Sequence, residues 1–167
     1  MRPHAWLALL LIGLGLGAPA VAAPPPHKVL FVCTGNYFRS RFAEALFNEA
    51  RPKQWSAFSR GLGALKPRKE HVSPLVIAEL KRRSVPSSRV DGAPQPLTQQ
   101  DLDAAEVVVL MNGPEHEPLL HQQFPTFPLS KVRSWAIGDF PKMPTEQAFA
   151  NIATGVDALI AELLKAR

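Results

Sequence analysis

The sequence predicts an α/β domain built on a parallel sheet covered on both faces, a three-layer arrangement. Three observations lead there. Two short runs, Lys28 to Val32 (KVLFV) and Glu106 to Met111 (EVVVLM), are apolar without alternation, the pattern of strands buried on both sides. The stretches between and after them space their apolar residues by threes and fours, the helical period. Strand-like and helix-like stretches alternate, which calls for parallel strands joined by right-handed crossovers. No internal repeat and no second-domain boundary interrupts this order, and 167 residues suit one domain with a sizeable core.

The first 23 residues differ from the rest. Arg2 gives a positive start, Ala5 to Leu16 is a short apolar stretch, Pro19 breaks it, and Ala20-Val21-Ala22 offers small residues for cleavage. That is the layout of a secretory signal peptide, and the apolar stretch is too short to span a bilayer. An exported protein, periplasmic or secreted and without stable membrane insertion after cleavage, is the expectation. The glycines of Gly13-Leu14-Gly15-Leu16-Gly17 follow no strand and are no nucleotide loop. Residues 24 to 27, opening on three prolines, form a stiff tether, and the domain runs from 28 to 167.

Within the domain, the strand at Lys28 is followed from Arg41 by a helical pattern through Phe42, Ala45, Leu46 and Glu49, which Pro52 ends. Gln54 to Ser59 reads as a second strand closing at Gly61 and Gly63. Ser73-Pro74 starts a helix through Leu80, and Ser84 to Pro96, rich in Ser and Pro, reads as loop. Thr98 caps a short helix to Ala104, with Asp101 in the capping-box position. After the strand at Glu106 come a helix from Glu115 to Gln123 and a short strand at Lys131 to Trp135. A last helix starts near Thr145, with Phe149, Ile152, Val156, Leu159, Ile160 and Leu163 on one side.

Composition narrows the function classes. The chain carries 19 Lys and Arg against 14 Asp and Glu, +5 in all, and cleavage would remove one cation and leave +4. This mild excess suits a small acidic substrate and establishes no nucleic-acid partner. The clusters Lys66-Pro67-Arg68-Lys69 and Lys81-Arg82-Arg83 read as solvated surface. A single cysteine permits no intramolecular disulfide, so the fold rests on its core. In an oxidising compartment such a thiol needs a reason.

The reason lies in its neighbourhood. Cys33 ends the first apolar run, and Thr34-Gly35-Asn36-Tyr37-Phe38-Arg39-Ser40 leads from it into the first helix. Loops at the carboxyl ends of parallel strands are where such folds bind ligands, with a helix N-terminus favouring anions. A loop that wraps an oxyanion turns several backbone N–H groups inward and needs unusual backbone angles. Gly35 adopts positive φ without steric penalty, and Asn36 tolerates it better than most residues. The N–H groups from Thr34 to Arg39 then form an anion nest, and Arg39 adds a planar fork matching two oxygens. The same positive surroundings favour a thiolate at Cys33, to which Ser40 can donate its hydroxyl.

Cys33 to Ser40 resembles the active-site loop of the low-molecular-weight protein-tyrosine phosphatases: Cys, five residues with Gly-Asn among them, Arg, then Ser. The resemblance continues through Ala43 to Phe47, Trp55, Ser59-Arg60-Gly61, Leu97-Thr98 with Asp101-Leu102, the strand to Met111 and the last helix. It implies a four-stranded parallel sheet with the phosphatase loop between first strand and first helix. It also implies a two-step phosphomonoesterase reaction through a phosphocysteine, without metal or organic cofactor. The substrate it implies is phosphorylated, a phosphotyrosine protein or a small aryl phosphate. Cys33 is then the nucleophile, and Arg39 with Thr34, Gly35, Asn36, Tyr37, Phe38 and Ser40 forms the phosphate site. The general acid, an aspartate beside proline on a late loop, falls on Asp139 in Ile137-Gly138-Asp139-Phe140-Pro141. Asp91, Asp101, Asp103 and Asp157 are less suitably placed.

Several positions depart from the family pattern. Phe140 separates the acid from its proline, Phe38 replaces the second loop cysteine of many members, and Asn112 stands where many have aspartate. The paired tyrosines of some members' acid loop are absent, Tyr37 being the only tyrosine. Two other activities fit the loop: arsenate reduction finished by an external thiol, and oxyanion binding without catalysis. His116, Glu117 and His121 miss the zinc spacing, and surface or capping roles are expected for the histidines. Trp55, Trp135 and Phe149 read as core, with Trp135 also a candidate pocket wall.

Overall fold

A computed structural model describes residues 27–50, 52–63 and 69–165. The expected signal peptide, the tether up to Pro26, and Lys66-Pro67-Arg68 lie outside the described residues. The elements run β1 (His27–Cys33), α1 (Arg39–Ala50), β2 (Trp55–Gly61), α2 (Pro74–Arg82), α3 (Gln99–Ala104), β3 (Val107–Leu110), α4 (Gly113–Gln123), β4 (Val132–Ser134) and α5 (Thr145–Lys165). The four strands form one parallel sheet in the order β2-β1-β3-β4.

Alternation along the strands sorts the core into two layers. Val29, Phe31 and Cys33 with Val107, Val109 and Met111 face α1, α2 and α5, where Phe42, Leu80, Phe149 and Ile152 close over them. Leu30, Val32, Val108 and Leu110 face the other way, onto Leu102 of α3 and Leu120 of α4. From Val29 in β1 and throughout β3 both faces are covered, so no polar residue interrupts those runs.

Local departures from the expected elements each have a cause. His27, expected in the tether, is the first residue of β1 and pairs with Trp55. Helix α1 begins at Arg39, two residues early, because the carbonyl of Phe38 accepts the first helical bond from Phe42 N–H at 3.0 Å. Helix α4 begins at Gly113 because Pro114 stands in its first turn, where a missing N–H costs nothing. The loop after α2 contains one 3₁₀ turn, Ser87–Arg89. The capping box at Thr98 and Asp101 is present in both directions, at 3.0 and 3.2 Å. Trp135 is a core spacer: its ring lies 5.9 Å from Phe31, and a Cβ on Gly155 of α5 would meet it at 2.9 Å. That close approach explains a glycine in the middle of a long helix.

Candidate active site

Sheet register brings the strand ends level. Val32 stands opposite Arg60 and Leu110, and Leu110 opposite Ser134, so the segments after Cys33, Gly61, Met111 and Trp135 meet at one edge. Residues 61–63 fasten the start of the Cys33 loop: Leu62 N–H donates to the Cys33 carbonyl at 3.0 Å and Gly63 N–H to that of Thr34 at 2.8 Å. A Cβ on Gly63 would stand 2.7 Å from the Thr34 methyl, so the contact requires glycine.

The strained turn of the loop falls on Asn36. Its φ is 45°, whereas no glycine among the described residues has positive φ, contrary to the expectation for Gly35. The reason is the asparagine side chain. Its Oδ1 accepts from Gln95 N–H at 2.8 Å, its Nδ2 donates to Ser59 Oγ at 2.8 Å and Ser40 Oγ at 3.2 Å, and its carbonyl accepts from Arg41 Nε at 3.2 Å. Four bonds over-determine a conformation that costs roughly 1 kcal/mol or more. Arg41, buried, also donates to the carbonyls of Gly92 and Ala93, strapping the 92–95 segment to the loop. Burial lowers the Arg41 pKa, and burial raises that of Glu44, which accepts from Ser59 at 2.6 Å. Among the described residues no protein acceptor takes the N–H groups of Thr34, Gly35, Asn36 or Phe38, the donors an anion nest requires.

Cys33 is buried, with its sulfur 3.0 Å from Ser40 Oγ. Arg39 is 1% exposed, yet every terminal hydrogen of its guanidinium is matched. Nη1 donates to the Ile137 carbonyl at 2.9 Å and to Glu115 Oε2 at 3.1 Å; Nη2 donates to Asp139 Oδ2 at 2.6 Å and to Glu115 Oε1 at 3.3 Å. Burial alone would depress the Arg39 pKa, but the bond to Glu115 and the charges of Cys33 and Asp139 outweigh it and raise it. Asp139 stays half-exposed, in a loop closed by a bond from Met143 N–H to its carbonyl.

Behind Arg39 lies a second network. Asn112 N–H donates to His116 Nδ1 at 3.1 Å, so the ring proton sits on Nε2, which faces Thr34 Oγ1 at 3.1 Å. The Thr34 hydroxyl in turn donates to Glu115. Burial pushes the Glu115 carboxyl up, but the bonds from Arg39 and Thr34 win and hold it down to about 2. Burial, then the Arg39 charge, push His116 down to about 4 from 6.5. The fold therefore favours neutral His116, and between pH 4 and 6.5 the unfolded chain binds the extra proton. That stability is complete above pH 6.5 and declines as pH falls toward 4. The denaturant midpoint of the wild type should fall between about pH 7.5 and about pH 4.5 by more than that of His116→Gln. Equal falls in the two proteins would remove His116 as the cause.

The structure thus gathers Cys33, Thr34, Asn36, Arg39, Ser40 and Asp139 at one strand edge. Phe38 turns its ring away, 5.0 Å from Phe149 in the core, so its backbone alone remains available to a ligand. Tyr37 is half-buried at the rim, its carbonyl accepting from Ser73 N–H at 3.0 Å. Sequence reasoning missed Glu115; for His116 it expected a surface or capping role, and the residue is fully buried yet does cap, its Nδ1 accepting from the N–H of Asn112 at the start of α4. The available signal was position: both fall in the first turn of the helix that follows the other buried strand.

This arrangement matches known proteins. The family model for low molecular weight phosphotyrosine protein phosphatase matches residues 28–166. YfkJ from Bacillus subtilis superposes with a TM-score of 0.75 at 24% identity, covering 85% of this chain and 97% of its own. The low molecular weight protein tyrosine phosphatase from T. tengcongensis gives 0.66 at 29% identity, covering 84% and 99%. A thioredoxin-dependent arsenate reductase of Corynebacterium glutamicum gives 0.67 at 26%, covering 88% of this chain and 66% of its own. No curated protein matches the chain. With its model matched from β1 to the end of α5 and the fold shared throughout, the chain belongs to the low molecular weight phosphotyrosine protein phosphatase family.

Proposed function

We propose that this cysteine-dependent phosphatase hydrolyses phosphoric monoesters, with Cys33 as nucleophile, Arg39 and the 34–40 backbone as phosphate site, and Asp139 as general acid. The Cys33 sulfur forms a bond to phosphorus as the bond to the leaving oxygen breaks, and Asp139 gives that oxygen its proton. Water then attacks phosphorus, the Asp139 carboxylate takes its proton, and the S–P bond breaks to release phosphate and the thiolate. Ser40, 3.0 Å from the sulfur, stabilises the thiolate as it leaves. The observation that carries this reading is the 2.6 Å bond from Arg39 to Asp139, which brings the aspartate of the late loop to the Cys33 loop despite the inserted Phe140.

The substrate class is a phosphorylated tyrosine side chain or a small aryl phosphate. One relative in the family fold, from Vibrio vulnificus, is described in complex with benzylphosphonate, an aryl-bearing phosphoryl mimic. Arsenate reduction is the weaker alternative, since this chain has a single cysteine and no second thiol to receive electrons. The two are separated by supplying p-nitrophenyl phosphate in one assay and arsenate with a small dithiol in another. Phosphate release without dithiol-dependent arsenite formation is the expected result; the reverse pattern would overturn the proposal. The leader layout of residues 1–23 adds export to the proposal. Mature protein isolated from its host should begin near Ala23 or Pro24, and soluble cytoplasmic protein retaining Met1 would refute export.

A further inference from the structure

Arg39 is held by two carboxylates that differ in everything but charge. Asp139 is 53% exposed, sits in a loop and touches one guanidinium nitrogen. Glu115 is 33% exposed, belongs to the first turn of α4 and spans both terminal nitrogens, at 3.1 and 3.3 Å. Its carboxylate is itself fixed by the Thr34 hydroxyl and by Asn112 Nδ2 at 3.3 Å. A general acid must leave Arg39 to reach the leaving oxygen, and the guanidinium then loses one of its fastenings. A buried arginine with rotamer freedom gives up the pre-organisation that makes its fork effective. Glu115 and the Ile137 carbonyl are the partners that remain.

Given the phosphatase reading on which this rests, we propose that Glu115 is the positioning residue of the site: it keeps the Arg39 fork and Thr34 in register with the phosphoryl group while Asp139 exchanges between Arg39 and the leaving oxygen. Glu115 does not touch substrate. Because one carboxylate binds both the fork and the first residue of the loop, the two halves of the phosphate site share an anchor. The opposing effect is electrostatic, since a negative charge beside Arg39 repels a phosphoryl dianion. The two effects have opposite signs on phosphate affinity. For a fork held by two charge-assisted bonds, loss of orientation outweighs relief of repulsion across the guanidinium.

The test reads inorganic phosphate binding as protection of Cys33 from iodoacetate, which requires no turnover. Alongside it, kcat/KM is measured on p-nitrophenyl phosphate, for wild type, Glu115→Gln, Arg39→Lys and the double variant. Glu115→Gln should weaken phosphate protection about tenfold and lower kcat/KM by about tenfold or more, whereas in the Arg39→Lys background it should change protection by less than about twofold. Coupling of that kind is absent if Glu115 merely stabilises the fold. Unchanged or tighter phosphate binding in Glu115→Gln overturns the proposal, as does a full penalty that persists in the Arg39→Lys background, where the fork is gone. Should Glu115→Gln not fold, Glu115→Asp keeps the charge and withdraws it by about 1.5 Å, and it must weaken protection likewise; normal protection there overturns the proposal. Turnover that survives in Cys33→Ser would instead defeat the phosphatase reading, and the two failures are read from different assays.

Discussion

Cys33→Ser is expected to abolish phosphate release from aryl phosphates, by a factor on the order of 10⁴–10⁶, the scale on which loss of a covalent nucleophile acts. Serine keeps the shape of the side chain and its place beside Ser40 Oγ, so the cradle should persist and still bind phosphate. What it lacks is the sulfur nucleophile, and among the described residues the hydrogen-bonding contact to the side chain at 33 is Ser40, a hydroxyl and not a base that could activate another. The buried sulfur in wild type should be alkylated by iodoacetate with loss of activity, and inorganic phosphate should protect it. Residual turnover near the wild-type level in Cys33→Ser would mean that hydrolysis takes place without the phosphocysteine.

Asp139→Asn should slow phenyl phosphate hydrolysis by roughly 10²–10⁴, the usual worth of general acid–base catalysis. A phenoxide leaves poorly without a proton, whereas nitrophenolate leaves with little help, so p-nitrophenyl phosphate should suffer much less in the first step. Comparing two leaving groups in one variant cancels any general loss of folded protein. The bond from Arg39 at 2.6 Å adds a second expectation. Removing that charge frees one edge of the guanidinium, so phosphate should bind the variant at least as tightly as the wild type. Equal slowing of both substrates in the phosphorylation step, or of neither, would assign the proton to another group.

Much of this protein was legible along the chain because the physics involved is local. Apolar runs without alternation located β1 and β3, the spacing of Phe149, Ile152, Val156 and Leu159 located α5, and Thr98 with Asp101 located a helix start. The loop from Cys33 to Ser40 was legible as a candidate site for the same reason, since the proposed nucleophile, nest and fork come from one continuous stretch of chain. Even there, one detail went elsewhere. The positive φ belongs to Asn36 and not Gly35, because Gln95, Ser59 and Arg41 hold the asparagine from other parts of the chain.

What a sequence determines by itself is whatever neighbouring residues decide through backbone preference and periodic burial, here the elements, the layers and the candidate oxyanion loop. Which distant groups face that loop was decided by strand register alone. The pairing of Val32 with Leu110 sets β1 and β3 level at their carboxyl ends, which delivers Glu115 to Arg39 and His116 to Thr34, 76 and 82 positions away. The run to Ile137 and Asp139 arrives in the same way after β4. A carboxylate in a helix's first turn favours that terminus wherever it lies. Only the packed sheet turns it into the partner of a buried arginine.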